Sequence, residues 1–314
     1  MSKKVLILEG GFNEEHEISL STASEVKKSL KSLGYYYDSL LVEPHTFSKQ
    51  IRNYNTFDIF FNSLHGPFGE DGSIQLILEK NKLKYTHSGP KSSKIAFDKN
   101  LTKLTMTDTE VIFPISQVIN RDQLNEDLFL NFYKEYGSFV LKPVSSGSSF
   151  GVRIFNDIRD IQKFFINLKN EKKLYQKHIN LMMEVFINGR ELTVGVLEEN
   201  GISKSIEVTE IITKNNFFDY KAKYSKGLSK HILPAKIDEK IYNKCLRLAK
   251  IVHDKLECRG LSRSDFIYDS DKDILFFLEI NTQPGLTPIS LVPEQLNFNK
   301  INFDSLIKKL IDNV

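Results

Sequence analysis

The first apolar run, Val5–Glu9, ends in Gly10-Gly11 and reads as a short buried strand. Apolar residues then recur at Ile18, Ala23, Val26, Leu30 and Leu33, roughly the helical period, and Gly34 follows as a stop signal. Tyr35–Val42 and Phe57–Leu64 are further runs of strand length, and Ile74–Asn81 has helical spacing. Strands alternating with helices predict a small parallel sheet over residues 1 to about 95.

Beyond that point the pattern changes. Residues 97–107 read as a helix, followed by a strand over 111–119 that carries Pro114. From Phe139 the strands look like hairpins: FVLKP with GVRIF, then LMMEVF with ELTVGVLEE, then ISKSIEVTEI. Ile241, Cys245, Leu248, Ile251, Val252 and Leu256 predict one amphipathic helix over 235–257. SRSDFIY and DILFFLEIN form a last hairpin that turns at DSDKD. Phe303, Leu306, Ile307, Leu310 and Ile311 mark a final helix.

Composition narrows the classes. With 314 residues, 40% hydrophobic and 26% charged, the chain suits a soluble globular protein of two or three domains. A formal charge of +3, from 43 basic and 40 acidic residues, gives no argument for nucleic acid or an anionic membrane as partner. The lysine-rich stretches 27–32 and 169–173 read as solvated helical faces. Cys245 and Cys258 form no CxxC motif, and no histidine is spaced to complete a zinc site, which fits a reducing cytosol. The N-terminal apolar run is too short for a signal peptide or a membrane span, so a cytoplasmic location is expected.

Candidate chemistry begins in the serine and glycine loop Ser145–Gly151. Glycines let backbone N–H groups approach oxygen anions, and serine hydroxyls add donors, so the loop suits a cover over phosphates. It is not a Walker A loop, because Lys142 precedes it on the incoming strand. The same composition also suits a plain surface hairpin. Two other stretches favour phosphate. Arg263 and Asp265 share a sheet face, as do Glu279 and Asn281. If those strands pair, Asp265, Glu279 and Asn281 bring together oxygen ligands without His or Cys, a set that suits Mg²⁺. A lid, a lysine and this set point to a nucleoside triphosphate.

With these residues in view, the chain resembles the D-alanine–D-alanine ligases of the ATP-grasp superfamily. The matching stretches are GGFNEEHEISL (10–20), LHGPFGEDG (64–72), YTHSG (85–89), FDKN (97–100), LKPVSSGSSFGV (141–152), DYKAKY (219–224), GLSRSDF (260–266) and LEINTQPGLTPISLVP (278–293). The resemblance implies an α/β fold, α+β in parts, of ATP-grasp type. Its parts would be an N-terminal parallel α/β domain over 1–95, a central lid domain over 96–187 and a C-terminal antiparallel-sheet domain over 188–314. It implies ATP-dependent ligation of two D-alanines through an acyl phosphate, for peptidoglycan precursors, with two Mg²⁺ or Mn²⁺ ions and a homodimer.

By the same resemblance, Lys99 and Lys142 hold the α- and β-phosphates under Ser145, Ser146, Gly147 and Ser149. Glu184, Val185 and Ile187 form the adenine edge, Glu191 takes the ribose and Lys223 the γ-phosphate. Asp265, Glu279 and Asn281 hold the metal. Glu15 anchors the ammonium of the first D-alanine with His65 beside it, whereas Glu14 and Glu17 read as acids favoured in a first helical turn. Ser148 and Tyr224 tie the lid and a second loop over the substrates. Arg263 and the Gly285 N–H stabilise the tetrahedral oxyanion. Ser290 and the Leu291 N–H receive the second carboxylate; without the resemblance Ser290 reads as a loop residue or helix cap. Phe150 is bulkier than is familiar at the lid tip. Lys223-Tyr224 favours a dipeptide over D-alanyl-D-lactate, since a tyrosine there leaves no extra imidazolium beside the second site. The competing readings are another carboxylate–amine ligase of this superfamily and a non-catalytic nucleotide-binding module.

Overall fold

The structure is a computed structural model that describes residues 3–147, 150–213 and 229–314. Ser148, Ser149, Lys223 and Tyr224 lie outside the described residues.

Three sheets organise the described chain. The first is parallel, in the order β2-β1-β3, built from β1 (Lys4–Gly10), β2 (Tyr36–Val42) and β3 (Ile59–Asn62). Val5 to Leu8 are all fully buried because β1 is the central strand with both faces covered. Helix α1 (His16–Ser32) lays Ala23, Val26 and Leu30 on one face, and Gly34 ends it at φ 74°. Short helices α2 (Phe47–Gln50) and α3 (Ser73–Lys80) follow β2 and β3. Then come α4 (Pro90–Phe97) and α5 (Lys99–Thr105).

The second sheet is antiparallel, in the order β4-β7-β5-β6: β4 (Ser116–Asn120), β5 (Phe139–Pro143), β6 (Arg153–Phe155) and β7 (Asn180–Val185). Helices α6 (Glu126–Tyr136), α7 (Ile158–Ile166) and α8 (Leu168–Leu174) accompany it. Its core is aromatic: Phe129 meets Phe139 and Phe155 edge-on, with centroids 5.6 and 5.3 Å apart.

The third sheet has the order β10-β9-β8-β11-β12: β8 (Arg190–Glu199), β9 (Ile202–Thr213), β10 (Ser229–Ile232), β11 (Leu261–Asp269) and β12 (Ile274–Asn281). Asn200 and Gly201, at φ 53° and 75°, make the tight β8–β9 turn that suits the strand twist. Helix α9 (Glu239–Lys255) packs Leu248 and Val252 into this sheet's core, which also takes Ala96, Met106 and Val111. Helices α10 (Leu291–Phe298) and α11 (Phe303–Asp312) contribute Val292, Leu296, Leu306 and Ile307 to one cluster with Val5 and Ile7 of the first sheet.

Four expectations need correction. LMMEVF and ELTVGVLEE are not a hairpin: β7 has β4 and β5 on its edges, β8 has β9 and β11, so neither has an edge left for the other. The helix expected over 97–107 breaks at Asp98, which is extended and caps α5 through the Leu101 N–H at 2.8 Å. The helix expected over 235–257 begins at Glu239, where Asp238 accepts the Lys240 N–H at 2.8 Å. Pro114 precedes its strand rather than lying in it, since β4 begins at Ser116.

Candidate active site

A cleft runs where the three sheets approach one another, and its two chambers share Lys99, Ser146 and Glu279. The first lies between the second and third sheets. Val185, Phe186, Ile187, Leu192, Phe266 and Leu278 give it apolar walls, and Lys142, Glu184 and Glu191 add charge. Phe150 also lines it, with its ring 5.9 Å from that of His178.

Glu184 interrupts an apolar strand and is only 3% exposed. Both Lys142 and Lys103 donate to its carboxylate, Lys103 at 2.7 Å. Burial pushes this carboxyl upward, and the two lysines more than offset that, holding it below the ordinary carboxylate range. Lys103 itself is lowered by burial, with Glu184 opposing. The sequence reading missed Lys103, although it stands four residues after Lys99 and so on the same helix face.

At the junction, the Lys99 ammonium is 3.2 Å from Glu279 and donates to the Ser146 carbonyl at 3.0 Å. The Lys99 N–H also reaches the Val144 carbonyl at 3.0 Å, and Ser145 donates to Asp98 at 3.2 Å. The α4–α5 break is therefore what holds the root of the lid loop, a part for Asp98 that its sequence position does not reveal. The expected pairing of β11 with β12 is present, with Asp265 opposite Glu279 and Arg263 opposite Asn281. Arg263 grips Asp265 with Nε and Nη2 at 2.9 and 2.8 Å, and Thr193 donates to the same carboxylate at 2.6 Å. Asn281 Oδ1 accepts the Gln283 N–H at 2.8 Å. Gln283 Oε1 in turn accepts from Asn62 at 2.7 Å, which ties the site to the first sheet.

The second chamber is polar. Glu15 sits at the N-cap of α1, where the helix end favours a carboxylate, and its N–H is held by Asn13 at 2.8 Å. A Cβ on Gly66 would come within 2.4 Å of the Glu15 carboxylate, and one on Gly147 within 3.2 Å. His65 is buried with both ring nitrogens engaged, Nδ1 3.1 Å from Glu70 and Nε2 3.0 Å from Thr22. Burial raises the Glu70 carboxyl above its ordinary value, and nearby Glu15 adds to the rise. A Cβ on Gly285 would come within 2.9 Å of Ser290 Oγ and crowd that hydroxyl. Ser290 stands at the N-cap of α10, yet its hydroxyl bonds Thr287 rather than capping the helix. Leu291 begins that helix and also lines the chamber.

One imidazole of this lining was not foreseen. His231, on β10, faces the same chamber, with Nδ1 2.7 Å from Glu294 in the first turn of α10. This imidazole stands on β10, apart from Lys223 and Tyr224, which lie outside the described residues. The contact spans 63 residues, and no local pattern announces it.

Residues 115–312 match the family model described as D-ala D-ala ligase C-terminus. A D-alanine–D-alanine ligase of Zymomonas mobilis is 42% identical over 318 residues, covering 99% of this chain and 93% of that protein. Among solved structures, D-alanyl-alanine synthetase A of Vibrio cholerae superposes with TM-score 0.84 at 23% identity, covering 99% of this chain and 98% of that one. A Bacillus anthracis D-alanine–D-alanine ligase complexed with ATP gives TM-score 0.81 at 23% identity, covering 100% and 97%.

Proposed function

The chain belongs to the D-alanine–D-alanine ligase family, and we propose that its reaction runs at the junction of Lys99, Ser146 and Glu279. It is an ADP-forming ligase of ATP-grasp fold that joins two D-alanines for peptidoglycan precursors. The carboxylate of the first takes the γ-phosphoryl group, and the amine of the second displaces phosphate from the acyl phosphate.

The observation that carries the site assignment is the shared wall. An apolar chamber with two lysines meets a polar chamber at one lysine and one carboxylate. The apolar side takes the adenine against Val185 and Ile187, the ribose at Glu191, and the phosphates at Lys99, Lys142, Ser145, Ser146 and Gly147. Ser149 and Lys223 are assigned to the phosphates by sequence resemblance alone, as Ser148 and Tyr224 are to closure. In the polar chamber, Glu15 and His65 receive the first D-alanine, Ser290 and Leu291 the second. Arg263, steered by Asp265, and the Gly285 N–H face the developing oxyanion. Such work is mostly positioning and charge neutralisation.

The donor set fits a hard divalent cation. Asp265, Glu279 and Asn281 offer only oxygen and lie on two paired strands. Mg²⁺ or Mn²⁺, as two ions, would be held there and would neutralise charge on the phosphoryl oxygens. The domains are proposed as 1–95, 96–187 and 188–314, with Ala96, Met106 and Val111 of the middle stretch packing against the third sheet. A homodimer is proposed. No helix among the described residues is long and apolar enough to cross a membrane, and a cytoplasmic location is proposed. The test is an end-point competition between equimolar D-alanine and D-lactate with ATP at pH 7, read by mass. D-alanyl-D-alanine with ADP is expected; a predominance of depsipeptide overturns the dipeptide reading.

A further inference from the structure

Lys142 carries two duties that conflict. The reading above sends it to the nucleotide phosphates, yet in the structure it donates to the buried Glu184 carboxylate. Were Lys142 its only partner, its departure would leave a carboxylate 3% exposed alone in an apolar wall. A buried charge that loses its partner is strongly unfavourable, and the usual escape is to take up a proton.

Lys103 changes this balance. Its ammonium donates to Glu184 Oε2 at 2.7 Å, to Ser116 Oγ at 2.7 Å and to the Pro114 carbonyl at 2.9 Å. These contacts use all three donors of a lysine and fix it in place. The two lysines take different oxygens of the carboxylate, so one can leave while the other stays. The groups that face Glu184 are Lys103 from α5, Lys142 from β5, the Ser116 side of β4, and the Pro114 carbonyl that holds Lys103. The other charged groups of the chamber are Lys99, Glu191, Asp265 and Glu279.

We propose that Lys103 is a positioning residue that keeps Glu184 ionised by itself, so that Lys142 can move to the nucleotide phosphates without proton uptake at Glu184. The proposal rests on the reading of Lys142 and Glu184 as nucleotide contacts.

The test is calorimetric binding of ADP and of adenosine to the full chain, in buffers of differing ionisation heat, from pH 6 to 8. The wild type, Lys142→Ala, Lys103→Met and Lys103→Arg are compared. Adenosine binding checks that each variant keeps a folded chamber. The wild type and Lys103→Arg should bind ADP more tightly than adenosine by the same factor. Lys142→Ala should lose tenfold or more of that factor at every pH. Lys103→Met should lose a similar share at pH 8 and regain it toward pH 6, taking up to one proton more per ADP than the wild type. The sign follows because its binding-competent form carries a protonated Glu184, so affinity falls up to tenfold per unit of rising pH. If Lys103→Met keeps the wild-type factor with no extra proton, or loses it equally at all pH values, the proposal fails. If Lys142→Ala keeps the full factor, the reading of Lys142 as a phosphate contact fails instead.

Discussion

Replacing Gln295 with methionine removes one amide from the helix that has Ser290 at its N-cap and Leu291 as its first residue. Gln295 is fully buried. Its Oε1 accepts the Gly195 N–H at 2.8 Å, and its Nε2 donates to the Thr193 carbonyl at 3.1 Å and to Thr209 Oγ1 at 3.0 Å. Gly195 falls at the irregularity between Val194 and Val196, where the β8–β9 ladder skips, so its amide relies on this side chain. Methionine fills a similar volume but donates no hydrogen bond and accepts only weakly. One orphaned buried N–H costs about 1–3 kcal/mol and the two other lost bonds about 1 kcal/mol each, a total of roughly 3–5 kcal/mol. At roughly 1.5–2 °C per kcal/mol for a chain of 314 residues, the melting midpoint should fall by about 5–10 °C. Circular dichroism melts and urea titration measure the loss. Steady-state kinetics should show KM for the second D-alanine rising more than KM for ATP, because α10 loses its tie to β8. A midpoint within 2 °C of wild type would refute the reasoning.

Other expectations follow from the same geometry. Glu279→Gln should lose most activity while the fold is kept, and near-normal turnover at saturating Mg²⁺ would sink its assignment as a metal ligand. Arg263→Lys keeps the charge but not the fork that grips Asp265 and faces the oxyanion together, so kcat should drop about 10²–10³-fold; a drop under fivefold counts against it. Burial raises the Glu70 carboxyl, so just above the ordinary carboxylate value the folded state holds a proton that the unfolded state has released. Stability therefore falls as pH rises through that window, and Glu70→Gln should remove this slope in urea titrations from pH 4 to 7; unchanged slopes would contradict it.

Much of the scaffold was legible because it is local. The helical spacing from Ile18 to Leu33 and its glycine stop predict α1 closely, and the two-residue spacing in SRSDF and LEIN predicts the shared face of β11 and β12. Partner choice is not local. The strands β7 and β8 are separated by four residues, as a hairpin would be, and only the occupied edges of two different sheets forbid it. The break at Asp98 is hidden because apolar Ile95, Ala96 and Phe97 lead into it without punctuation. The strand before the serine loop led to Lys142 and the family resemblance to Glu184, but the third member of that cluster, Lys103, has no motif of its own. His231 and Glu294 meet only through the approach of β10 to α10.

The aromatic core under the second sheet has its own members, whereas the first sheet shares a core with α10, α11 and residues Leu197 and Leu261 of the third. Inheritance and engineering should feel this division. A substitution that softens the Phe129 cluster perturbs the sheet proposed to cover the nucleotide, and its first symptom would be a change in how long ADP lingers after turnover. A substitution in the shared core instead shifts Glu15 relative to Ser290, which on the proposed reading is the span that two small amino acids bridge. Variation can thus accumulate in the Phe129 cluster without touching the core that the first sheet shares with the third.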